Sequence, residues 1–162
     1  MKKYESFDKR GENMEVLMAR KFNVRDTKRY YSDLNSAVLN GLEVITFKGI
    51  NKNLKSEEEV SHIKTPYVDF LMGFLKFNPI IEFGEELGGY TISLNEIDMY
   101  GEGDIIESAK ENLVDSILEY IDIYVEKIDI FNKVESLEKQ VYMLKLIRCD
   151  GDKERIKKEI GL

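Results

Sequence analysis

Between Phe22 and Gly49 the chain spells out one helix followed by one strand, and this run constrains the fold more than any other feature. Asn23 is a favourable N-cap, and Asp26 sits where the positive end of a helix attracts an acid, so a helix is expected from Val24. Tyr30, Tyr31, Leu34, Ala37 and Val38 recur at three- and four-residue spacing and form one apolar stripe. Asn40-Gly41 supplies a left-handed stop. Leu42–Lys48 (LEVITFK) is β-branched and aromatic with partial alternation, a strand closed by Gly49. With Glu15–Ala19 as a first strand, the order becomes β-α-β. A unit this small buries too little apolar surface to stand alone, so it is expected to dimerise or to dock on the rest of the chain.

Charge divides the sequence at about the same place. The whole chain of 162 residues carries 24 Lys or Arg and 31 Asp or Glu, a net charge of −7. Residues 1–55 hold 12 basic and 7 acidic side chains, whereas residues 56–162 hold 12 and 24. A basic first third can meet an anion such as DNA phosphate, and an acidic remainder can meet a basic protein surface. An uneven spread of solvated charge would give the same count. Arg20, Lys21, Arg25, Lys28 and Arg29 gather near the expected helix start, and Arg25, Lys28 and Arg29 share one side of its first two turns. There they can reach phosphate oxygens or base edges, or make ordinary surface pairs.

The run FNVRDTKRYYSDLNSAVLNGLEVITFKG resembles the N-terminal signature of the prevent-host-death (Phd/YefM) antitoxins: a short strand, a polar cap, a helix, a glycine and a second strand. It departs from that pattern at the helix start, where Arg25-Asp26-Thr27 replaces the common Glu-Ala-Arg. The resemblance implies a symmetric dimer that binds an inverted-repeat operator through basic residues near the helix start.

In the middle of the chain, Ser56-Glu57-Glu58-Glu59 has the form of a capping box opening a short helix that contains the sole histidine, His62. Thr65-Pro66 begins a second helix expected to run to Phe77, apolar enough to be buried between modules. After Pro79, Ile80–Phe83, a turn at Glu85–Gly89 and Tyr90–Leu94 form a hairpin, with Ile97–Tyr100 as a third strand. Asp104-Ile105-Ile106-Glu107 reads as a helix start, and Ile106, Ala109, Leu113, Ile117, Tyr120, Ile121 and Tyr124 follow at helical spacing. The segment GGYTISLNEIDMYGEGDIIESAKENLVDSI resembles the core of HicB-type antitoxins, without the proline and cysteine common in their loop. That resemblance implies a partial ribonuclease-H-like module that lacks catalytic carboxylates and binds protein.

Towards the C-terminus, Val134–Arg148 is expected as an amphipathic helix with Leu137, Val141 and Leu144 and, one face along, Met143 and Ile147 as its apolar residues. Cys149-Asp150-Gly151 breaks it, and Asp152 caps a last helix through Ile160. The pair resembles a helix-turn-helix in outline but lacks a clustered basic face. A docking element or a lid on the core fits it better.

No catalytic or metal site can be drawn. His62 has no neighbouring ligand pattern, and Cys149 lies beside Asp150, which would raise a thiol pKa. Asp98, Glu102 and Asp104 could hold a hard cation but fit no standard calcium loop, and no phosphate-binding glycine motif is present. The longest apolar stretch, Phe70–Leu75, is too short to span a bilayer, and a lone cysteine fits the cytoplasm.

The sequence therefore points to an α+β protein. Residues 1–55 form a Phd/YefM-like module for DNA binding and dimerisation, 56–79 linker helices, 80–128 a HicB-like antiparallel sheet plus helix, and 129–162 a helical tail. The expected function is that of a cytoplasmic antitoxin, not an enzyme and without cofactor or metal. Its expected partners are operator DNA, a second copy of itself and a small basic, RelE-like, mRNA-cleaving toxin, with no membrane involved. An acidic adaptor that never touches DNA is the alternative, and a metal-dependent nuclease using Asp98, Glu102 or Asp104 is the remaining one.

Overall fold

The computed structural model describes residues 21–48, 59–85 and 88–162. The chain is α+β, and it divides into two compact units, residues 1–71 and 72–162. The expected first strand at Glu15–Ala19 and the start of the expected capping box, Ser56-Glu57-Glu58, lie outside the described residues.

In the first unit, β1 (Lys21–Asn23) leads directly into α1 (Val24–Leu39), which returns through Gly41 to β2 (Val44–Phe47). β1 and β2 pair in parallel, giving the β-α-β order with the first strand next to the helix. Asn23 caps α1, its side-chain oxygen accepting from the Arg25 N–H at 2.9 Å. Gly41, at φ +94°, takes the left-handed conformation that ends the helix, and its N–H donates to the Val38 carbonyl at 2.9 Å. Leu34, Ala37 and Val44 form a small core, with Phe22, Tyr30 and Val38 packed around it.

The helix expected from Ser56 is not formed at its described end. Glu59–His62 is instead β3, antiparallel to β2 with Thr46 opposite Val60. A capping-box pattern is a weak local preference, and the unpaired edge of β2 outweighs it by offering a full set of backbone partners. The hydroxyl of Thr46, 8% exposed, hydrogen-bonds His62 Nε2 at 2.9 Å across this pair. α2 (Thr65–Met72) follows and ends five residues earlier than expected, before Gly73. None of its residues is buried, contrary to the expectation from its composition.

The second unit is a three-stranded antiparallel sheet in the order β4-β5-β6, packed against helices. It contains β4 (Ile80–Gly84), β5 (Gly89–Leu94) and β6 (Met99–Gly103). The third strand begins two residues later than expected, because Ile97, 1% exposed, is buried in the β5–β6 turn that Asp98 closes at φ +55°.

α3 (Ile106–Glu126) crosses β6 and β5. Gly101 and Gly103 make this close approach possible: a Cβ on Gly101 would meet the Leu113 backbone and lie 2.6 Å from the Ala109 carbonyl oxygen. The helix start is secured by Ser108, whose hydroxyl accepts from the Ile105 N–H at 3.3 Å, and not by Asp104.

α4 (Ile128–Val134), α5 (Leu137–Ile147) and α6 (Lys153–Ile160) complete the unit. Ser136 caps α5, so the helix expected from Val134 begins three residues later, and Val134 itself ends α4. The buried face of α5 is Tyr142, Met143, Lys145 and Leu146, while Leu137 is 76% and Leu144 44% exposed. Both faces are apolar in sequence, and packing of Met143 and Leu146 with Leu113, Ile117 and Ile156 selects between them. Asp152 caps α6 as expected, accepting from the Glu154 and Arg155 N–H groups.

Candidate nucleic-acid and partner-binding surfaces

The five basic residues singled out in the sequence fall at the junction of β1 and α1. Arg20 lies outside the described residues, and Lys21 is placed by its backbone, opposite Ile45 in β1. Arg25, Lys28 and Arg29 are all exposed on the first turns of α1. Spacings of three and four bring them to one side of the helix. Among the described residues none of the three forms a salt bridge; Arg29 lies 5.4 Å from the centre of the Tyr30 ring. At Tyr30 the backbone leaves helical geometry (φ −114°, ψ 17°), so the basic turns precede a kink. Such an array offers three cations beside the positive end of a helix, an arrangement suited to phosphate oxygens.

The second unit has the opposite character. Its residues 72–162 carry 20 acidic and 11 basic side chains. A groove between the β5–β6 turn and the start of α5 is lined by Asn95, Glu96, Asp98, Glu135, Ser136, Glu138 and Lys139. Lys139 is tied to Asp98 and Glu135, each at 3.1 Å. Burial alone would lower the Lys139 pKa, but its hydrogen bonds to Asp98 and Glu135 outweigh that and hold it above the usual lysine value. Glu96 accepts through one oxygen from the Asn78 backbone (3.0 Å) and side chain (2.9 Å), while its other oxygen is buried without a partner. The acids outnumber the lysine, leaving the groove negative.

Among the described residues no three His, Cys, Asp or Glu side chains are grouped to hold a metal ion. Asp98, Glu102 and Asp104 do not converge: Asp98 is taken by Lys139, and Glu102 points from the sheet face opposite α3. Cys149 is 2% exposed, and burial pushes its thiol pKa up, with Glu159 adding to the rise. Such a thiol is a poor nucleophile. His62 belongs to the Thr46 pair already described. No helix among the described residues is long and apolar enough to cross a membrane.

Sequence reasoning did not find the acidic groove, because its members come from a turn and a helix start about forty residues apart. It also passed over the exposed apolar side chains of β4, Ile80, Ile81 and Phe83, which are 43%, 47% and 55% exposed. Their pattern was legible as a strand, but not as one left uncovered.

A family model described as PHD-like, antitoxin of toxin–antitoxin systems of the RelE/RelB kind, matches residues 18–160. Among solved structures, a chain described as the antitoxin part of a toxin/antitoxin system from Syntrophomonas wolfei subsp. wolfei shares the fold. Its TM-score is 0.63 at 14% sequence identity, covering 86% of this chain and 95% of that one. No curated protein matches the chain in sequence.

Proposed function

Because the chain belongs to the PHD-like family of antitoxins of RelE/RelB toxin–antitoxin systems, we propose that it neutralises a small basic, mRNA-cleaving toxin by direct binding and represses its own operon by binding operator DNA as a dimer. The observation that carries this reading is the division of charge between the two units, with exposed Arg25, Lys28 and Arg29 on the first and a strong acidic excess on the second. A nuclease that holds RNA is basic, so an acidic partner is steered to it and covers the surface RNA needs. Neutralisation of this kind requires occupancy and no catalysis, so the chain acts as a binder and not as an enzyme.

In this reading residues 1–55 bind DNA and dimerise. The small core of the first unit supports a dimer, since Leu34, Ala37 and Val44 alone bury little surface while Tyr31 is 70% and Leu39 60% exposed. Residues 56–79 connect, and residues 80–128 with the helical tail 129–162 form the protein-binding part in the cytoplasm. The β-β-β-α order over Ile80–Glu126 supports a HicB-like character for that part.

The test is genetic. Expression of the small basic protein encoded beside this chain should arrest growth, and co-expression of the full chain should restore it. Failure of co-expression to restore growth overturns the reading and favours an adaptor role.

A further inference from the structure

β4 is the outer strand of the second unit's sheet. It pairs with β5, and among the described residues no strand pairs with its other side. All five of its residues are exposed. The register assigns them to faces: Ile81 stands opposite Ile92, which faces Gly101, and Phe83 stands opposite Tyr90, which faces Gly103. The two glycines lie against α3, so Ile81 and Phe83 are on the helix side of the sheet. The helix packs over β6 and β5, where Ile92 is fully buried, and its cover thins at β4. The apolar layer thus extends one strand further than the helix that covers it. On the opposite face, Glu82, Thr91 and Glu102 form a row with an acid at each end.

We infer that β4 receives an extended segment of the toxin as a fourth strand, in which apolar side chains covering Ile81 and Phe83 alternate with a Lys or Arg set against Glu82. The inference rests on the antitoxin reading and specifies how its protein-binding part engages. Strand addition supplies main-chain hydrogen bonds, and alternating side chains supply selectivity. Charge selects the occupant. Antiparallel pairing of β4 with a second copy over its full length places Glu82 opposite Glu82, and like charges directly opposite are unfavourable. Shifting the register by two residues, which avoids this and keeps the helix sides of the two sheets on one face, leaves three residues of the five in the ladder. An acid on an edge strand keeps copies of the chain apart, and it attracts a basic strand.

The test compares hydrogen–deuterium exchange in the full chain with and without the small basic protein encoded beside it, alongside the affinities of two variants. Expected is slower exchange over Ile80–Gly84 on adding that protein. Glu82→Lys and Phe83→Ser, both at exposed positions, should each weaken binding by about tenfold or more while operator binding is kept. If the unaltered chain binds the toxin but β4 exchange is unchanged, or both variants bind as it does, the inference is overturned and the antitoxin reading stands. Protection that grows with concentration of the chain alone assigns β4 to a second copy. Protection already present in the dilute chain assigns it to another segment of the same chain. Either result also overturns the inference. An unaltered chain that does not bind the toxin at all withdraws the antitoxin reading with it.

Discussion

Lys145 shows how one charged side chain is kept inside the second unit. It is 6% exposed, donates to the Leu75 carbonyl at 2.6 Å and pairs with Glu159 at 2.9 Å, so the charge and two of its three donors are satisfied. Lys145→Met keeps the stem but removes the bond to Leu75, and should lower unfolding stability by about 2 kcal/mol in urea titration.

Cys149 gives the unit a pH signature. Burial raises its pKa in the folded state, so on alkalinisation the unfolded chain ionises first and binds fewer protons. Its contribution should therefore weaken stability as pH rises above about 8.5, and Cys149→Ala should flatten that part of the pH–stability curve. At the basic turns, Arg25→Ala, Lys28→Ala and Arg29→Ala together should weaken operator binding and reduce its salt dependence by about one unit of slope per lost phosphate contact. Unchanged affinity and slope would place DNA binding on another face.

Elements were legible in the sequence where local signals agree with their neighbours. α1 begins at Val24 and ends at Leu39 as its cap and glycine indicate, and α3 buries Ala109, Leu113, Ile117 and Tyr124 from the expected stripe. β3 was not legible, because its stabilising partner is β2, remote in sequence, while the acids before it imitate a helix start. The inward face of α5 was legible only in part for a related reason: the sequence offers two apolar rows, and only contacts with α3 and α6 select the one with Met143. Of the candidate surfaces, the basic cluster could be found by spacing, whereas the groove and the uncovered strand needed the fold. The seating of α3 on β6 carries its own prediction. Gly101→Ala would drive a methyl into the Leu113 backbone, a place where neither side can yield, and should destabilise the second unit by about 3 kcal/mol. Gly151→Ala makes a useful contrast, since no atom lies near its Cβ position and only its positive φ is strained.

At the scale of the whole molecule, the proposed function puts DNA binding on one unit and toxin binding on the other, and on that proposal each ligand can alter the affinity for the other. Such coupling is reciprocal and typically worth about 1 to 3 kcal/mol. Operator affinity measured with and without saturating toxin should differ by that amount, and toxin affinity should shift equally when operator is present. Equal operator affinity in both conditions would mean that the units act independently. The most direct measurement is a titration of the full chain into the toxin while the toxin cleaves RNA. Cleavage should fall in proportion to added chain and stop at a fixed stoichiometric ratio, with less effect per mole at high salt, as expected for steering between opposite charges. Cleavage that persists with the chain in excess would contradict neutralisation by direct binding.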